Sequence, residues 1–120
     1  MRLKEVAKKL ELEVRSGAGR LEAEVRGGYA SDLMSDVIAN AEEGCLWVTL
    51  QTHVNIVAVA AMKELAGIIL VNGREPQEET VAKGDEKNVP ILVSRLPAFE
   101  LIGRLHRLGI PGQGADAEGS

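Results

Sequence analysis

Few of the side chains suited to chemistry stand in a chemical pattern. Ser31, Asp32 and His53 supply the residue types of a hydrolytic triad, yet the chain lacks the Gly-x-Ser-x-Gly elbow that presents a nucleophilic serine. Two histidines and one cysteine cannot complete a zinc site without carboxylates, and no metal-ligand spacing occurs. No Gly-x-x-x-x-Gly-Lys-Ser/Thr is present, which excludes phosphoryl transfer of the P-loop type. "SGAGRLEAE" contains glycines but joins two expected strands, so it is no dinucleotide fingerprint. Cys45 opens an apolar run and reads as an inert core residue, and Trp47 beside it as packing. General acid–base catalysis needs a matched pair, and only lone candidates are visible. The expectation is a non-enzyme with no cofactor and no metal.

Polar residues gather instead between buried segments. In "LWVTLQTHVNIVAVAAM", Gln51, Thr52, His53 and Asn55 interrupt two apolar runs. This reads as a strand-to-helix turn at the rim of a parallel sheet. Ligands of open parallel sheets bind outside the carboxyl ends of the strands, near where strand order reverses. The rule collects Gly28, Tyr29, Ser31 and Asp32 after one strand, and Gln51, Thr52, His53 and Asn55 after the next. Asn72, Gly73 and Arg74 follow a third, and Ser94 and Arg95 a fourth. Each group precedes an expected helix, so free N–H groups and positive dipole ends favour a carboxylate or phosphate there. Plainer roles stand beside this one. Ser31 and Thr52 suit N-caps, Asn72-Gly73 suits a turn, and Arg74 and Arg95 suit a solvated surface. Gln51 and His53 are needed for no cap.

The elements that position these groups follow from periodicity. Leu3, Val6, Ala7 and Leu10 mark a short opening helix, and "LELEV" alternates as a strand. "RLEAEVRGGYA" alternates through Leu21, Ala23 and Val25. It reads as a second strand ending at Gly27-Gly28, where special backbone angles or a close backbone approach are needed. Leu33, Met34, Val37, Ile38 and Ala41 fall at helical spacing. "CLWVTL", "GIILV" and "VPILVS" are apolar runs of strand length, as expected of strands covered on both faces. Val54 to Ala66 reads as a helix buried nearly all round. "EPQEETVAKGDEK" reads as a polar helix with Pro76 in its first turn and Glu75, Glu78 and Glu79 at its positive end. Pro97 opens a last helix, amphipathic through Phe99, Leu101, Ile102, Leu105 and Leu108. Strands alternating with helices after a ribbon-like start predict a three-layer α/β/α fold with a mainly parallel sheet. One domain over 1–110 and a disordered tail over 111–120 are expected.

Composition narrows the function classes. The chain has 120 residues, 45% hydrophobic and 27% charged, which suits one globular domain. Aromatics are 2%, so the core is aliphatic and a base-stacking platform for single strands is disfavoured. A net charge of −4 argues against nucleic acid as a partner. No apolar stretch approaches the ~20 residues of a membrane helix, and the charged "MRLKEVAKKL" is not a signal peptide. One cysteine excludes an intramolecular disulfide, and a cytoplasmic setting is expected.

"GYASDLMSDVIANAEEGCLWVTLQTHVNIVAVA", "AGIILVNGREPQEET" and "VPILVSRLPAFELIGRL" resemble the DRTGG-domain family, especially its stand-alone members, some of them encoded near iron hydrogenases. The likeness runs from about residue 1 to 110. It implies a fold like the N-terminal domain of HPr kinase/phosphorylase and a regulatory or interaction role. The chain departs from the naming motif: Gln51-Thr52-His53 replaces Asp-Arg-Thr, and Asn72-Gly73 replaces Gly-Gly. The kinase's P-loop domain is absent. Two functional expectations result. One is a homo-oligomeric (dimeric) module sensing an anionic small molecule, a metabolite or nucleotide, at the rim. The other is a protein–protein interaction module with no small ligand, with an apolar patch around Phe99 and a redox or hydrogenase partner.

Overall fold

Three apolar runs form the centre of the sheet, as their composition requires. The computed structural model describes residues 1–113. Its elements in order are α1 (Leu3–Lys9), β1 (Glu13–Ser16), β2 (Gly27–Ala30), α2 (Met34–Asn40) and β3 (Cys45–Thr49). Then come α3 (Asn55–Met62), β4 (Gly67–Leu70), α4 (Glu78–Glu86), β5 (Ile91–Val93) and α5 (Ala98–Arg107). The sheet order is β1-β5-β4-β3-β2. Strands β2 to β5 are parallel, and β1 lies antiparallel against β5. The expected α/β/α fold with a mainly parallel sheet is therefore present.

Register explains the two cores. Tyr29, Trp47, Ile68 and Ile91 lie side by side across four strands and face one layer of helices. There they pack with Val37 of α2 and Ile56, Val57 and Ala60 of α3. The next row, Ala30, Val48, Ile69 and Leu92, faces the opposite side. Val48, Ile69 and Leu92 pack there with Leu3 and Val6 of α1 and Leu101 and Leu105 of α5. Burial of each large aliphatic side chain contributes roughly 1.5–3 kcal/mol. Three helices thus cover one face and two the other, and Ala30 at the end of its row stays exposed.

Several local expectations are corrected. The ribbon-like start does not form, because β1 and β2 occupy opposite edges of the sheet. The alternating stretch around Leu21 to Val25 is not a strand, and the strand is Gly27–Ala30. Its carbonyls serve a helix instead: Leu3 N donates to Ala23 O at 2.9 Å and Lys4 N to Leu21 O at 2.8 Å. Those are N–H groups that α1 cannot satisfy internally. Gly27 lies inside β2, where a Cβ would stand 3.2 Å from Pro111 O, so close approach explains the glycine. "LELEV" contributes only its end, since β1 runs Glu13–Ser16.

Helix boundaries differ too. The N-cap of α2 is Leu33 and that of α3 is Val54, so neither Ser31 nor Thr52 caps as expected. Helix α3 stops at Met62 and exposes Asn55, Ala58, Ala61 and Met62, so it is buried on one side only. Pro76 precedes the N-cap Gln77 of α4. Glu75 is engaged elsewhere, in a fork with Arg15 at 2.6 and 2.8 Å. Phe99 is 93% exposed and is not part of the buried stripe of α5. Pro111–Gln113 belong to the fold rather than to a tail. Gly112 bridges Gly28 in parallel, beside Gly28 N to Pro111 O at 3.0 Å and Gln113 N to Gly28 O at 2.8 Å. The rest of the expected tail lies outside the described residues. Among the described residues, no helix is long and apolar enough to cross a membrane.

Candidate functional site: the carboxyl-end rim

Four parallel strands open onto one rim, and their exit loops are hydrogen-bonded into a single unit. Asp32, just past β2, accepts from Thr49 Oγ1 at 2.8 Å and Leu50 N at 2.7 Å, both through Oδ1. Gln51 Nε2 returns a bond to Asp32 O at 3.0 Å. Trp47 Nε1 donates to Ser31 O at 2.8 Å, so the indole's polar atom is satisfied within the first loop. The second and third loops meet where Thr52 O accepts from Thr80 Oγ1 at 2.8 Å and Gln77 N at 3.3 Å. The third and fourth meet through Asn72 N to Leu96 O at 2.9 Å and Gly73 N to Ser94 O at 2.7 Å. Asn72 and Gly73 hold φ of 59° and 66°, the left-handed region that asparagine and glycine tolerate best. That pair of angles makes the reversal after β4.

The expected residues divide by what they do here. Asn55, His53, Asn72, Gly73 and Arg74 are exposed on the rim. His53 Nδ1 accepts from Asn55 N at 3.3 Å. Among the described residues, Arg74 and Arg95 make no ion pair. Ser94 is buried, and its Oγ accepts from Leu96 N at 3.1 Å. Ser31 Oγ accepts from Leu33 N at 3.1 Å, which shapes its own loop. Tyr29 does not reach the rim, because its hydroxyl donates to Asp36 of α2 at 2.9 and 3.0 Å. Ser31, Asn40 and Tyr29 together hold the Asp36 carboxyl below its ordinary range.

Helix dipoles contribute less to the rim than the spacing suggested. The first turn of α3 is closed internally, with Ile56 N on His53 O and Val57 N on Val54 O. The first turn of α4 carries Glu78 and Glu79, whose charges oppose an incoming anion. The strand order β2-β3-β4-β5 also runs without reversal, so no switch point lies among the parallel strands.

Three cavities border the rim on its β2 and β5 sides, and a fourth of about 290 Å³ reaches Asn55 at the start of α3. One of about 200 Å³ is lined by Ala30, Ser31, Asp32, Leu50, Val71 and Ala98. Another of about 260 Å³ adjoins it between β2 and α5. The third, about 520 Å³, lies beyond β5 and gathers Ser94 with Lys9, Arg95 and Arg104. Lys9, Arg104, Ile102 and His106 were not among the sequence-derived site residues. They reach the sheet from α1 and α5, and no local spacing links them to a strand exit. Gln51, Thr52, His53 and Asn72–Arg74 line none of the three. Among the described residues, no group of three His, Cys, Asp or Glu could hold a metal ion.

No family model matches the sequence, and no curated protein sequence matches it. The fold does match a solved one. A crystal structure of the CBS and DRTGG domains of the regulatory region of Clostridium perfringens pyrophosphatase, complexed with its activator diadenosine tetraphosphate, superposes with a TM-score of 0.70. The two share a fold. Their sequences are 15% identical, and the match covers 97% of this chain and 51% of that one. The chain thus spans about half the length of that structure. The expected DRTGG-like α/β architecture has a solved counterpart in a regulatory region.

Proposed function

We propose that this chain is a non-catalytic regulatory module of the DRTGG type that senses a small anionic ligand, a metabolite or nucleotide, at the carboxyl-end rim of its sheet. The observation that carries this is the stitched rim. Asp32, Thr52 and Ser94 tie four exit loops together, so a ligand touching one loop moves the others. His53, Asn55, Asn72, Gly73 and Arg74 are its outward-facing contacts, with Gln51 and Ser31 behind them. Arg74 and Arg95 supply the charge. The fold's likeness to a regulatory region solved with a nucleotide activator supports the same reading. A homodimer suits such a module, because ligand binding then acts on a second copy.

Thermal-shift measurements with nucleotides, acyl phosphates and coenzyme A compounds test it. A ligand at one hundred times its Kd stabilises by about 2.7 kcal/mol, a shift on the order of 10 °C for a domain of this size. Arg74→Ala and Arg95→Ala should each shrink that shift. No shift with any of the three classes would overturn the proposal.

A second reading has one specific observation behind it. Phe99, 93% exposed, and Leu33, 64% exposed, place large apolar groups on the ends of α5 and α2. This suits a protein–protein interaction module with a redox or hydrogenase partner and no small ligand. Retention of binding to such a partner by Phe99→Ser would count against it.

A further inference from the structure

Helix α5 has two sides, and only one is covered. Leu101 and Leu105 are buried against the sheet. On the side turned away from them stand Phe99, Gly103 and His106, all exposed. At 3.6 residues per turn, Gly103 lies about 40° around the helix from Phe99 and His106 about 20° the other way, so the three form one stripe. Phe99 is 93% exposed, more than Leu33, Ile38 or Met62. Gly103 is the odd member of the stripe. Glycine disfavours a helix interior more than any residue except proline. A Cβ at Gly103 would meet nothing within 4 Å, so no contact inside the chain requires a glycine there. The other α-helical glycine, Gly84, has such a reason in Ser16.

The charges along α5 are sorted as well. Glu100 stands in its first turn, and Arg104, His106 and Arg107 in its last. Glu100 and Arg104 pair within the chain at 3.0 Å. Arg107 makes no ion pair among the described residues. A helix that is acidic at its start and basic at its end complements a copy of itself run in reverse. With a twofold axis over Gly103, Phe99 lies one turn before the crossing, about 6 Å along the helix, and faces Arg107 of the second copy. Glu100 then faces the basic end of the opposite helix. A guanidinium stacks on an aromatic face and pairs with a carboxylate. A twofold contact needs this reciprocity, in which i meets j and j meets i. Bare glycine on both copies lets the two axes come to the near end of the usual ~8–10 Å separation.

We infer that two copies of this chain associate by antiparallel packing of α5 on α5 across Gly103, with Phe99 of each on Arg107 of the other and Glu100 at the basic end of the opposite helix. This does not rest on the rim reading; it names a contact for the homodimer proposed with it. It assigns Phe99 to a second copy rather than to a different protein. A ten-residue helix is about 15 Å long, so the contact is smaller than the ~800 Å² per partner of a standard interface. The dimer is therefore weak and depends on concentration.

Sedimentation equilibrium of the whole chain from about 5 μM to about 1 mM tests this, with a mass that rises from one chain toward two. Gly103→Leu puts a side chain into the crossing and should raise the dissociation constant at least tenfold. Its melting temperature at the lowest concentration should be no lower than the parent's, because the space is open within one chain. Glu100→Lys and Arg107→Glu should each weaken the dimer at least threefold at low salt. An equimolar mixture of these two variants should recover the parent's association, because each contact of the mixed dimer again joins opposite charges. The mixture decides the question even if Gly103→Leu fails to fold. A parent that stays a single chain at the highest concentration would overturn the proposal and leave Phe99 to a different protein. A dimer indifferent to Gly103→Leu, or a mixture no better than either variant alone, would overturn it too. None of these outcomes touches the rim reading, which the thermal shifts with ligands decide.

Discussion

Gly84 of α4 lies so close to Ser16 of β1 that a Cβ on it would stand 2.4 Å from Ser16 Oγ and 2.9 Å from Ser16 Cβ. Ser16 is itself fixed there, since its buried hydroxyl donates to Val89 O at 2.8 Å. The glycine that weakens the polar helix on propensity grounds is what lets it sit on the sheet.

Gly84→Ala should therefore destabilise the protein, although alanine favours a helix by about 1 kcal/mol. Overpacking of this kind costs roughly 1–3 kcal/mol. Pairing it with Ser16→Gly should recover part of the loss, as read from urea midpoints. A single Gly84→Ala variant at least as stable as the parent would refute the contact.

Asp32 joins the first two rim loops through two charge-assisted bonds, each worth roughly 1.5–3 kcal/mol. Its exposure lowers that figure, so Asp32→Ala should cost about 1–2 kcal/mol in chemical denaturation. Asp32→Asn retains one acceptor oxygen and should cost less. Equal stability of all three proteins would show that the loop junction does not depend on this side chain.

Cys45 lies wholly buried in β3, and burial pushes its thiol up to about 11. The sign follows from linkage: between about pH 9 and 11 the unfolded chain has lost this proton and the folded chain has not. Stability attributable to Cys45 is full below that window and falls as pH rises through it, by roughly 2–3 kcal/mol. Cys45→Ala should start less stable at pH 7 and lose less stability on going to pH 11. Native protein should also resist thiol reagents at pH 8. Parallel stability curves for the two proteins would contradict the burial argument.

Much of the fold was legible because its central strands are so apolar. "CLWVTL", "GIILV" and "PILV" became β3, β4 and β5 within a residue or two, and their helical partners followed. The edges were not legible. Alternation around Ala23 marked real half-burial, yet the backbone there serves α1, and side-chain pattern carries no record of where carbonyls point. Phe99 is apolar like Leu101 and Leu105, but it stands two residues before Leu101, about 200° around α5, so the helix turns it to the opposite side from the buried face. The rim was foreseen because strand exits are contiguous in sequence. The cavity between β2 and α5 was not, because Ala30 and His106 are brought together only by the path of α5.

The strand order has a consequence for how the chain is made. Each of β3 to β5 settles beside the strand synthesised just before it, so the parallel part can grow as it leaves the ribosome. The seat of β1 is different: Glu13 pairs with Val93 and Val14 with Leu92, so the earliest strand waits for the latest. Contacts of such sequence separation form slowly. Pairing of that edge must await the last strand, and until then a growing chain carries an unpaired β4 or β5 border.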